Sequence, residues 1–384
     1  MPEVLKSLKK VSTPHFRWLH TGEQALSEML IAVGAAQRSI RLEMYIFHES
    51  NIAEKFRVAL LNACQRNVRV HVMVDALGSI TLPTSFWDPL KKSGGDFRWF
   101  NPLTVHRFSV RDHRKMLVCD DEVAFVGGFN ISKEYQGDGV VSGWRDLGLK
   151  IYGPLVRELA GAFDDLFAVA DSKQGLFQKF RKPQQQRLVS SSEADLLLTS
   201  PGRQHNPIKR FLRDDLRNAK SVQIIAAYFL PTWRLRRDLM RVAREGGKVQ
   251  LILPGKSDIG MMQAASRSLY RRLLHAGVEI YEYQPQILHA KLIVIDGVAY
   301  AGSSNLDTRS LHLNYELLVR FNQANVVAEA RNIFKHDLRH CLPIQLAEWN
   351  KTRPFWTRLK QRWAYFLLAR LDPYLTRWQL RRLR

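Results

Sequence analysis

The chain has 384 residues, enough for two domains or one large bilobal unit, and its hydrophobic content of 46% argues against a disordered chain. Its 58 Lys and Arg residues outnumber 36 Asp and Glu, and the formal charge of +22 favours a polyanionic partner, either nucleic acid or an anionic membrane surface. Three scattered cysteines, Cys64, Cys119 and Cys341, exclude a disulfide framework and a cysteine metal cluster, and they favour a reducing compartment.

No apolar run approaches the roughly 18–20 residues that a membrane-spanning helix needs. Residues 1–22 are charged and aromatic, without the apolar segment of a secretory signal. We therefore expect a protein that does not cross a bilayer by its own helices.

The chain repeats one order of elements at a spacing of roughly 180 residues. In the first half, residues 39–47 and 68–74 alternate apolar and polar side chains as strands do, around a helical pattern at 53–65. The second half has strand patterns at 221–228 and 248–253 around a helical pattern at 233–245. This order predicts an α/β fold of two similar lobes, each a largely parallel sheet with helices on its faces.

Residues 179–192 contain a proline, three consecutive glutamines and three consecutive serines, which is typical of a solvated linker. A long loop within one fold is the alternative interpretation. We therefore divide the chain into a first lobe at 1–178, a linker at 179–192, a second lobe at 193–345 and a tail at 346–384.

Each lobe carries a His-x-Lys-x4-Asp motif, followed by Gly-Gly-x-Asn or Gly-Ser-x-Asn. One copy would be a weak signal, but two copies in repeated halves are a strong one. Their residues are His113, Lys115, Asp120 and Asn130 in the first lobe and His289, Lys291, Asp296, Ser303 and Asn305 in the second. The alternative is a pair of strand histidines that bind nearby carboxylates without catalysing anything.

The spacing within the motif predicts that its side chains converge. Residues two apart in a strand point to the same face, so each His projects with its Lys. Each Asp suits the turn that follows, where it can bind backbone, and the returning strand places the Asn near the His–Lys pair. These hairpins make each sheet mixed, and we expect the two lobes to be related by a pseudo-twofold axis and to share one active site.

Two imidazoles, two ammonium groups and two carboxamides around one pocket suit a phosphodiester. One neutral His can attack phosphorus, and the other, protonated, can donate to the leaving alkoxide while Lys and Asn hold the phosphate. No metal is required, and the sequence has no cluster of metal ligands at suitable spacing, so we expect no cofactor. These residues do not reveal which His takes which role.

A catalytic His is commonly oriented by a carboxylate at its second ring nitrogen. Asp146 and Glu316 are the candidates, since each lies about thirty residues beyond the His of its own half. A surface carboxylate in an ordinary ion pair is the alternative for either.

The motifs resemble those of the phospholipase D superfamily, over nearly the whole chain. Other stretches resemble the bacterial cardiolipin synthases, especially the shorter, cardiolipin synthase B-like class without N-terminal transmembrane helices. These stretches are 43–47, 127–131, 228–231, 254–258, 302–310 and 314–316.

The resemblance implies that His113 is the nucleophile, forming a phosphatidyl-histidine, and that His289 protonates the departing alcohol and deprotonates the incoming one. It also implies phosphate binding by the motif residues Lys115, Lys291, Asn130, Asn305 and Ser303, and orientation of the histidines by Asp146 and Glu316. Asp120 and Asp296 complete the two catalytic motifs.

The second motif departs from the usual spacing, because five residues separate Asp296 from Gly302 where six separate Asp120 from Gly127. A tighter Asp-Gly hairpin is expected there. Gly128 stands where the second motif has Ser303, so we expect a hydroxyl contact to phosphate from one side only.

Residues 351–384 interleave ten Lys and Arg with Trp, Tyr and Phe, a composition that suits the headgroup boundary of a bilayer. The tail could instead stack on single-stranded nucleic acid, or pack on the core as a helix with solvated bases. We favour an amphipathic, membrane-associating tail.

We therefore expect a phosphatidyltransferase, a cardiolipin synthase that transfers a phosphatidyl group from phosphatidylglycerol, or from phosphatidylethanolamine, to phosphatidylglycerol. Its partner would be an anionic phospholipid membrane, at the cytoplasmic face of the bacterial inner membrane, with no nucleic acid. The alternatives are a phospholipase D-type hydrolase, a synthase of another phospholipid, a nuclease of the same superfamily and a non-catalytic membrane scaffold.

Overall fold

The computed structural model describes residues 16–102, 110–170, 188–190, 194–201, 206–351 and 353–371. These residues form two β-sheets with helices on their faces, which confirms the two-lobed α/β fold. Within the described ranges, no helix combines the length and the apolar character that crossing a membrane requires.

The first lobe contains a seven-stranded sheet. Its strands are β1 (Phe16–Leu19), β2 (Ser39–Met44), β3 (Arg69–Asp75), β4 (Asp96–Phe100), β5 (Met116–Cys119), β6 (Val123–Gly127) and β7 (Gly148–Tyr152). Its helices are α1 (Gly22–Ala35), α2 (Asn51–Gln65), α3 (Asp88–Lys92) and α4 (Pro154–Phe167).

The second lobe contains a nine-stranded sheet. Its strands are β8 (Leu188–Ser190), β9 (Ala194–Thr199), β10 (Ser221–Ala226), β11 (Lys248–Pro254), β12 (Glu279–Tyr283), β13 (Lys291–Ile295), β14 (Val298–Gly302), β15 (Glu316–Phe321) and β16 (Cys341–Pro343). Its helices are α5 (Pro207–Leu216), α6 (Trp233–Arg244), α7 (Gly260–Leu274), α8 (Ala324–Leu338), α9 (Leu346–Lys351) and α10 (Phe355–Phe366). Of the predicted linker, residues 188–190 form β8, the edge strand beside β9, and the rest lies outside the described residues.

The two sheets share one topology. Their strand orders are β1-β7-β6-β5-β2-β3-β4 and β16-β12-β11-β10-β13-β14-β15-β9-β8. Only β2-β3-β4 and β10-β11-β12 pair in parallel, whereas the other pairings are antiparallel. The expectation of largely parallel sheets was therefore wrong, and that of mixed sheets is confirmed, because the His-Lys hairpins add antiparallel strands beside each parallel set.

The motif hairpins differ by one residue in their turns. Cys119 pairs with Val123 across a three-residue turn, whereas Ile295 pairs with Val298 across two residues, the tighter Asp-Gly hairpin that the spacing predicted. Asp296 has φ +42°, in the left-handed region that such turns require. The missing residue is absorbed in the turn, so the strands beyond it keep equivalent positions in the two lobes.

Three hydrophobic clusters stack through the molecule. One packs α1 and α2 on the outer face of the first sheet, and another packs α5, α6 and α7 on the second sheet. The third lies between the lobes, where α4 and α8 bury side chains such as Phe163 and Phe334 against strands of both sheets. This shared core joins the halves into one body and fixes the residues that meet across it.

Candidate active site

Each motif histidine lies just before its strand, beside backbone of the other lobe. The His113 amide donates to the Tyr315 carbonyl (3.0 Å), and the Tyr315 amide donates to the Arg111 carbonyl (2.9 Å). In the same way the His289 amide donates to the Arg145 carbonyl at 2.7 Å. Two short bridges between the lobes therefore bring both histidines to the carboxyl edges of the parallel strands, where α/β proteins commonly place their sites.

Asp146 and Glu316 both contact a motif histidine, and the pairing crosses between the lobes. Glu316 Oε1 lies 3.0 Å from Nδ1 of His113, and Asp146 Oδ2 lies 2.6 Å from Nδ1 of His289. Each carboxylate thus meets the histidine of the other half, not of its own half as the spacing suggested. A carboxylate at Nδ1 holds the proton there and leaves Nε2 to act on a substrate.

The residue after the motif glycine sits against its own lobe's carboxylate. A Cβ at Gly128 would overlap the Asp146 carboxylate, so only glycine fits there. At the equivalent position, the Ser303 hydroxyl donates to Glu316 Oε2 (2.5 Å) and accepts from the Leu317 amide (3.0 Å). The Ser303 hydroxyl is therefore bound to the Glu316 carboxylate, and its contact to phosphate stays a prediction.

The two motif lysines are buried beside the histidines. Lys115 Nζ donates to the His113 carbonyl at 2.6 Å, and Lys291 Nζ lies 3.0 and 3.3 Å from Nδ1 and Nε2 of His289. Burial lowers the pKa of Lys115 to about 7 and also lowers the pKa of Lys291. Burial therefore disfavours the charged form of both amines, and an anion between them would stabilise their charge.

The two motif asparagines have different surroundings. Asn130 donates to the Tyr135 hydroxyl (2.7 Å) and accepts from the Ile46 amide (3.0 Å), so both ends of its amide bind protein groups. Asn305 is equally buried, but its Oδ1 atom has no hydrogen-bond partner among the described residues. Of the two, Asn305 is the one whose amide can turn to meet a phosphate oxygen.

Asp120 and Asp296 lie at the opposite ends of the strands from the histidines. The Asp120 carboxylate accepts from the amides of residues 37–39, just before and at the start of β2, at 2.7–2.9 Å. Asp296 accepts from the amides of Lys220 and Ser221 at the start of β10. Each carboxylate binds backbone, as expected from the sequence for a turn residue, and ties its hairpin to the neighbouring strand. A catalytic role for the two Asp residues stays a prediction.

Burial and charge set the protonation of the histidines. Burial, aided by the charges of Lys115 and Lys291, holds the pKa of His113 well below its ordinary value of 6.5. Burial and Lys291 also lower the pKa of His289, whereas Asp146 raises it. Burial raises the pKa of Glu316 to about 7. His113 is therefore neutral at neutral pH, as a nucleophile must be, and His289 has the stronger carboxylate contact.

Four aromatic rings surround the histidines, and their role was not foreseen from the sequence. The Tyr45 ring meets His113 edge-on at 4.8 Å, and the rings of Tyr135, Trp144 and Tyr228 lie 5.4–6.2 Å from that of His289. Tyr45 and Tyr228 lie in stretches that resemble the family, and Trp144 lies two residues before Asp146, but nothing in their spacing marks them as walls of the site. Together with the burial of both histidine side chains, the rings form apolar walls around the imidazoles.

A buried ion pair between the lobes supports the site, and it too was missed. Arg145 Nε donates to Asp337 at 2.9 and 3.0 Å, and both side chains are buried. Arg145 precedes Asp146 and its carbonyl binds the His289 amide. The pair therefore anchors α8 of the second lobe to the segment that orients His289.

Within the described part of the chain, no three His, Cys, Asp or Glu side chains are gathered as a metal site would need. The site consists of imidazole, ammonium, carboxamide and carboxylate groups. Such a set can bind a phosphodiester, supply a nitrogen nucleophile and supply a proton to a leaving oxygen.

Known proteins match the chain in both lobes. The family described as "Cardiolipin synthase, PLD-like domain" matches residues 29–167 and 212–338, one stretch in each lobe. Cardiolipin synthase 1 of Bacillus cereus is 32% identical over 345 residues, which cover 86% of this chain and 67% of the relative. Cardiolipin synthase B of Salmonella typhi is 33% identical over 305 residues, covering 78% of this chain and 74% of the relative.

Solved structures share the fold. A phosphatidylserine synthase of Haemophilus influenzae matches with a TM-score of 0.74 and 14% identity over 94% of both chains. A polyphosphate kinase of Porphyromonas gingivalis matches with a TM-score of 0.57 and 14% identity, over 85% of this chain and 50% of the kinase. At such identities the likeness concerns the fold alone. The family match spans both lobes, and with the two curated relatives it shows that the chain belongs to the cardiolipin synthase family of phospholipase D-like proteins.

Proposed function

We propose that the chain is a cardiolipin synthase that transfers a phosphatidyl group from phosphatidylglycerol, or alternatively phosphatidylethanolamine, to a second phosphatidylglycerol. The observation that carries this proposal is the pair of histidines, each held at Nδ1 by a carboxylate from the other half of the chain. The relatives' names supply the lipid chemistry.

In the first step, Nε2 of His113 attacks phosphorus and forms a P–N bond as the P–O bond to the head-group alcohol breaks. His289 gives its Nε2 proton to the departing oxygen. The lowered pKa of His113 favours the neutral nucleophile, and the Asp146 contact favours the imidazolium of His289. Bound phosphate would raise the pKa of His289 further by offsetting the charge of Lys291.

In the second step, His289 removes the proton from the primary hydroxyl of the acceptor phosphatidylglycerol. The acceptor oxygen forms a new P–O bond as the P–N bond to His113 breaks, which restores both histidines. One phosphodiester replaces another, so no nucleotide is consumed. Lys115, Lys291 and Asn305 would carry the charge of the equatorial oxygens, with Asn130 acting through Tyr135.

Transfer rather than hydrolysis requires that the acceptor reach the phosphoenzyme ahead of water. Both histidine side chains are buried, and the four aromatic rings close the site around them. Water exclusion of this kind favours a lipid acceptor.

The chain would work as a peripheral protein on an anionic membrane, at the cytoplasmic face. Helix α10 of the tail exposes Phe355, Trp356, Trp363 and Phe366 among basic residues. Its other face packs on α7 and buries Ala364, so the helix is also partly a core element. Of the predicted tail, residues 372–384 lie outside the described part of the chain.

Incubation of the purified protein with vesicles of labelled phosphatidylglycerol tests the proposal. We expect cardiolipin and free glycerol in equal amounts, with no effect of EDTA. His113→Ala and His289→Ala should each abolish the product. Phosphatidic acid without cardiolipin would instead assign a hydrolase, and cleavage of DNA in EDTA at a rate comparable to lipid turnover would assign a nuclease.

A further inference from the structure

Five exposed apolar side chains lie on loops and first helical turns at the edge of the sheets that holds the catalytic histidines. We name Ile80, Val141, Trp233, Ile259 and Met261 the rim; their exposed fractions run from 43% to 80%. They follow the carboxyl ends of β3, β6, β10 and β11, and both lobes contribute. Single exposed apolar residues are ordinary on any protein surface, but five around one site are a patch.

Rim residues of the first lobe are close in the chain to residues around the site. Ile80 follows Ser79, whose hydroxyl donates to the Tyr45 carbonyl (3.2 Å), and Tyr45 meets the His113 ring. Val141 lies three residues before Trp144, which packs 5.6 Å from His289. The first-lobe half of the rim therefore borders the active site.

The second lobe repeats this connection. Ile259 follows Asp258, whose carboxylate accepts from the Tyr228 hydroxyl at 2.5 Å, and the Tyr228 ring lies 6.2 Å from that of His289. Trp233 opens α6, and the Arg237 guanidinium stacks 4.8 Å from its ring. A tryptophan beside a base is typical of residues at the headgroup level of a bilayer.

Helix α10 reaches the rim with its carboxyl end only. There, the Tyr365 hydroxyl accepts from Arg236, in the first turn of α6 and close to Trp233. At the other end, Arg353 stacks on Trp349, which stacks on Tyr270 in the last turns of α7. The helix therefore runs from the far end of α7 towards the rim, so Trp363 and Phe366 lie nearer to the rim than Phe355 and Trp356 do.

We propose that the rim and the carboxyl end of α10 dock into an anionic phospholipid bilayer, so that the active site opens directly onto the headgroups. This inference rests on the proposed lipid substrate. Exposed bases lie among the apolar side chains, and their charge complements an anionic lipid surface. They are Arg234, Arg237, Lys256 and Arg370.

Two tryptophans of α10 distinguish this orientation from a helix lying flat on the membrane. Trp356 (75% exposed) and Trp363 (58% exposed) are seven residues apart and so share one face of the helix. Seven residues separate them by about 10 Å along the axis. A helix lying flat would immerse both rings, whereas docking through the rim immerses Trp363 and leaves Trp356 in water.

Flotation of the full chain with vesicles of phosphatidylglycerol and phosphatidylcholine tests this. We expect Trp363→Ser and the double change Trp233→Ser/Ile259→Ser each to weaken vesicle binding by about tenfold. The matched controls Trp356→Ser and Ile31→Ser should bind like the unchanged chain, since Ile31 is an equally exposed residue near the far end of α1. We call Trp233→Ser/Ile259→Ser the rim variant. Equal loss of vesicle binding in Trp356→Ser and Trp363→Ser, or unchanged vesicle binding in the rim variant, would overturn the proposal.

Turnover of monomeric short-chain phosphatidylglycerol separates docking from chemistry. For the rim variant, the ratio of vesicle to monomer turnover should fall about tenfold, which a misfolded variant would not produce. If the unchanged chain binds vesicles through the rim but makes cardiolipin from neither vesicle nor monomeric phosphatidylglycerol, the proposed function fails while the docking surface stands. Sedimentation velocity without lipid tests whether the rim binds a second copy of this chain instead. A dimer of the unchanged chain that dissociates in the rim variant would show this and overturn bilayer docking.

Discussion

His113 and Glu316 are 203 residues apart in the chain, yet Nδ1 of the histidine lies 3.0 Å from the carboxylate. The pair His289 and Asp146 spans 143 residues in the same crossed way. Neither half of the chain therefore holds a histidine together with its orienting carboxylate. The active site exists only where the lobes pack against each other.

The crossed pairing predicts which step each carboxylate supports. With a p-nitrophenyl phosphatidyl ester, whose alcohol leaves without protonation, the first step needs His113 but not a proton from His289. Glu316→Gln should slow the burst of p-nitrophenol by about 100-fold, whereas Asp146→Asn should keep the burst and slow only the turnover that follows. Stopped-flow absorbance separates the two phases, and the reverse pattern would mean that each carboxylate serves the histidine of its own half.

Gly128 should tolerate no side chain. Gly128→Ala puts a Cβ into the Asp146 carboxylate, so the contact to His289 must shift, and kcat should fall by about 100-fold. Gly34→Ala is the matched control, because a Cβ there meets nothing in α1. Comparable kcat values for the two variants on vesicle phosphatidylglycerol would show that the close approach of Asp146 is not required.

The Arg145–Asp337 pair should matter for stability and for positioning. Asp337→Asn leaves a buried guanidinium uncompensated, which should lower the free energy of unfolding by about 3 kcal/mol. The exposed pair Arg57–Glu54 supplies the control, since Glu54→Gln should cost less than about 1 kcal/mol. Urea titrations measure both, and kcat of the folded Asp337→Asn variant should fall about tenfold because Asp146 loses its anchor. Equal midpoints for the two variants would contradict this role.

The lowered pKa values predict an acidic optimum for the free enzyme. The ammonium of Lys115, whose pKa is about 7, is lost as pH rises from about 6 to 8, and the protonated form of His289, whose pKa is lowered by burial and Lys291, is lost below the ordinary pKa of 6.5. The ratio kcat/KM should therefore fall over that range, whereas kcat should hold to higher pH because bound phosphate raises both pKa values. Initial rates on detergent-dispersed phosphatidylglycerol check this, and a kcat/KM that is flat from pH 6 to 9 would refute it.

The motifs and hairpins were predictable because strand periodicity and turn chemistry are local. The two-residue turn at Asp296 followed from one missing residue, and the convergence of His and Lys followed from the period of a strand. Membership in the family, which the motifs indicated, is confirmed by matches over both lobes.

What the sequence could not predict depends on how the lobes pack. The crossing of Asp146 and Glu316, and the pair Arg145–Asp337, join residues more than a hundred positions apart that no local pattern relates. Ser303 was expected at phosphate because the resemblance places it among the phosphate-binding residues, and its hydrogen bond to the Glu316 carboxylate was not predicted. Asp120 and Asp296 belong to the two motifs in sequence, but the length of each strand carries their side chains away from the histidines.

Trapping the covalent intermediate tests the central claim most directly. In His289→Ala, the p-nitrophenyl ester should still react with His113, but no base is left to activate the acceptor. We expect one equivalent of p-nitrophenol per chain and, by mass spectrometry of the digested protein, a phosphatidyl group on the peptide that contains His113. A burst that persists in His113→Ala, or a phosphatidyl group found on any other residue, would contradict the account.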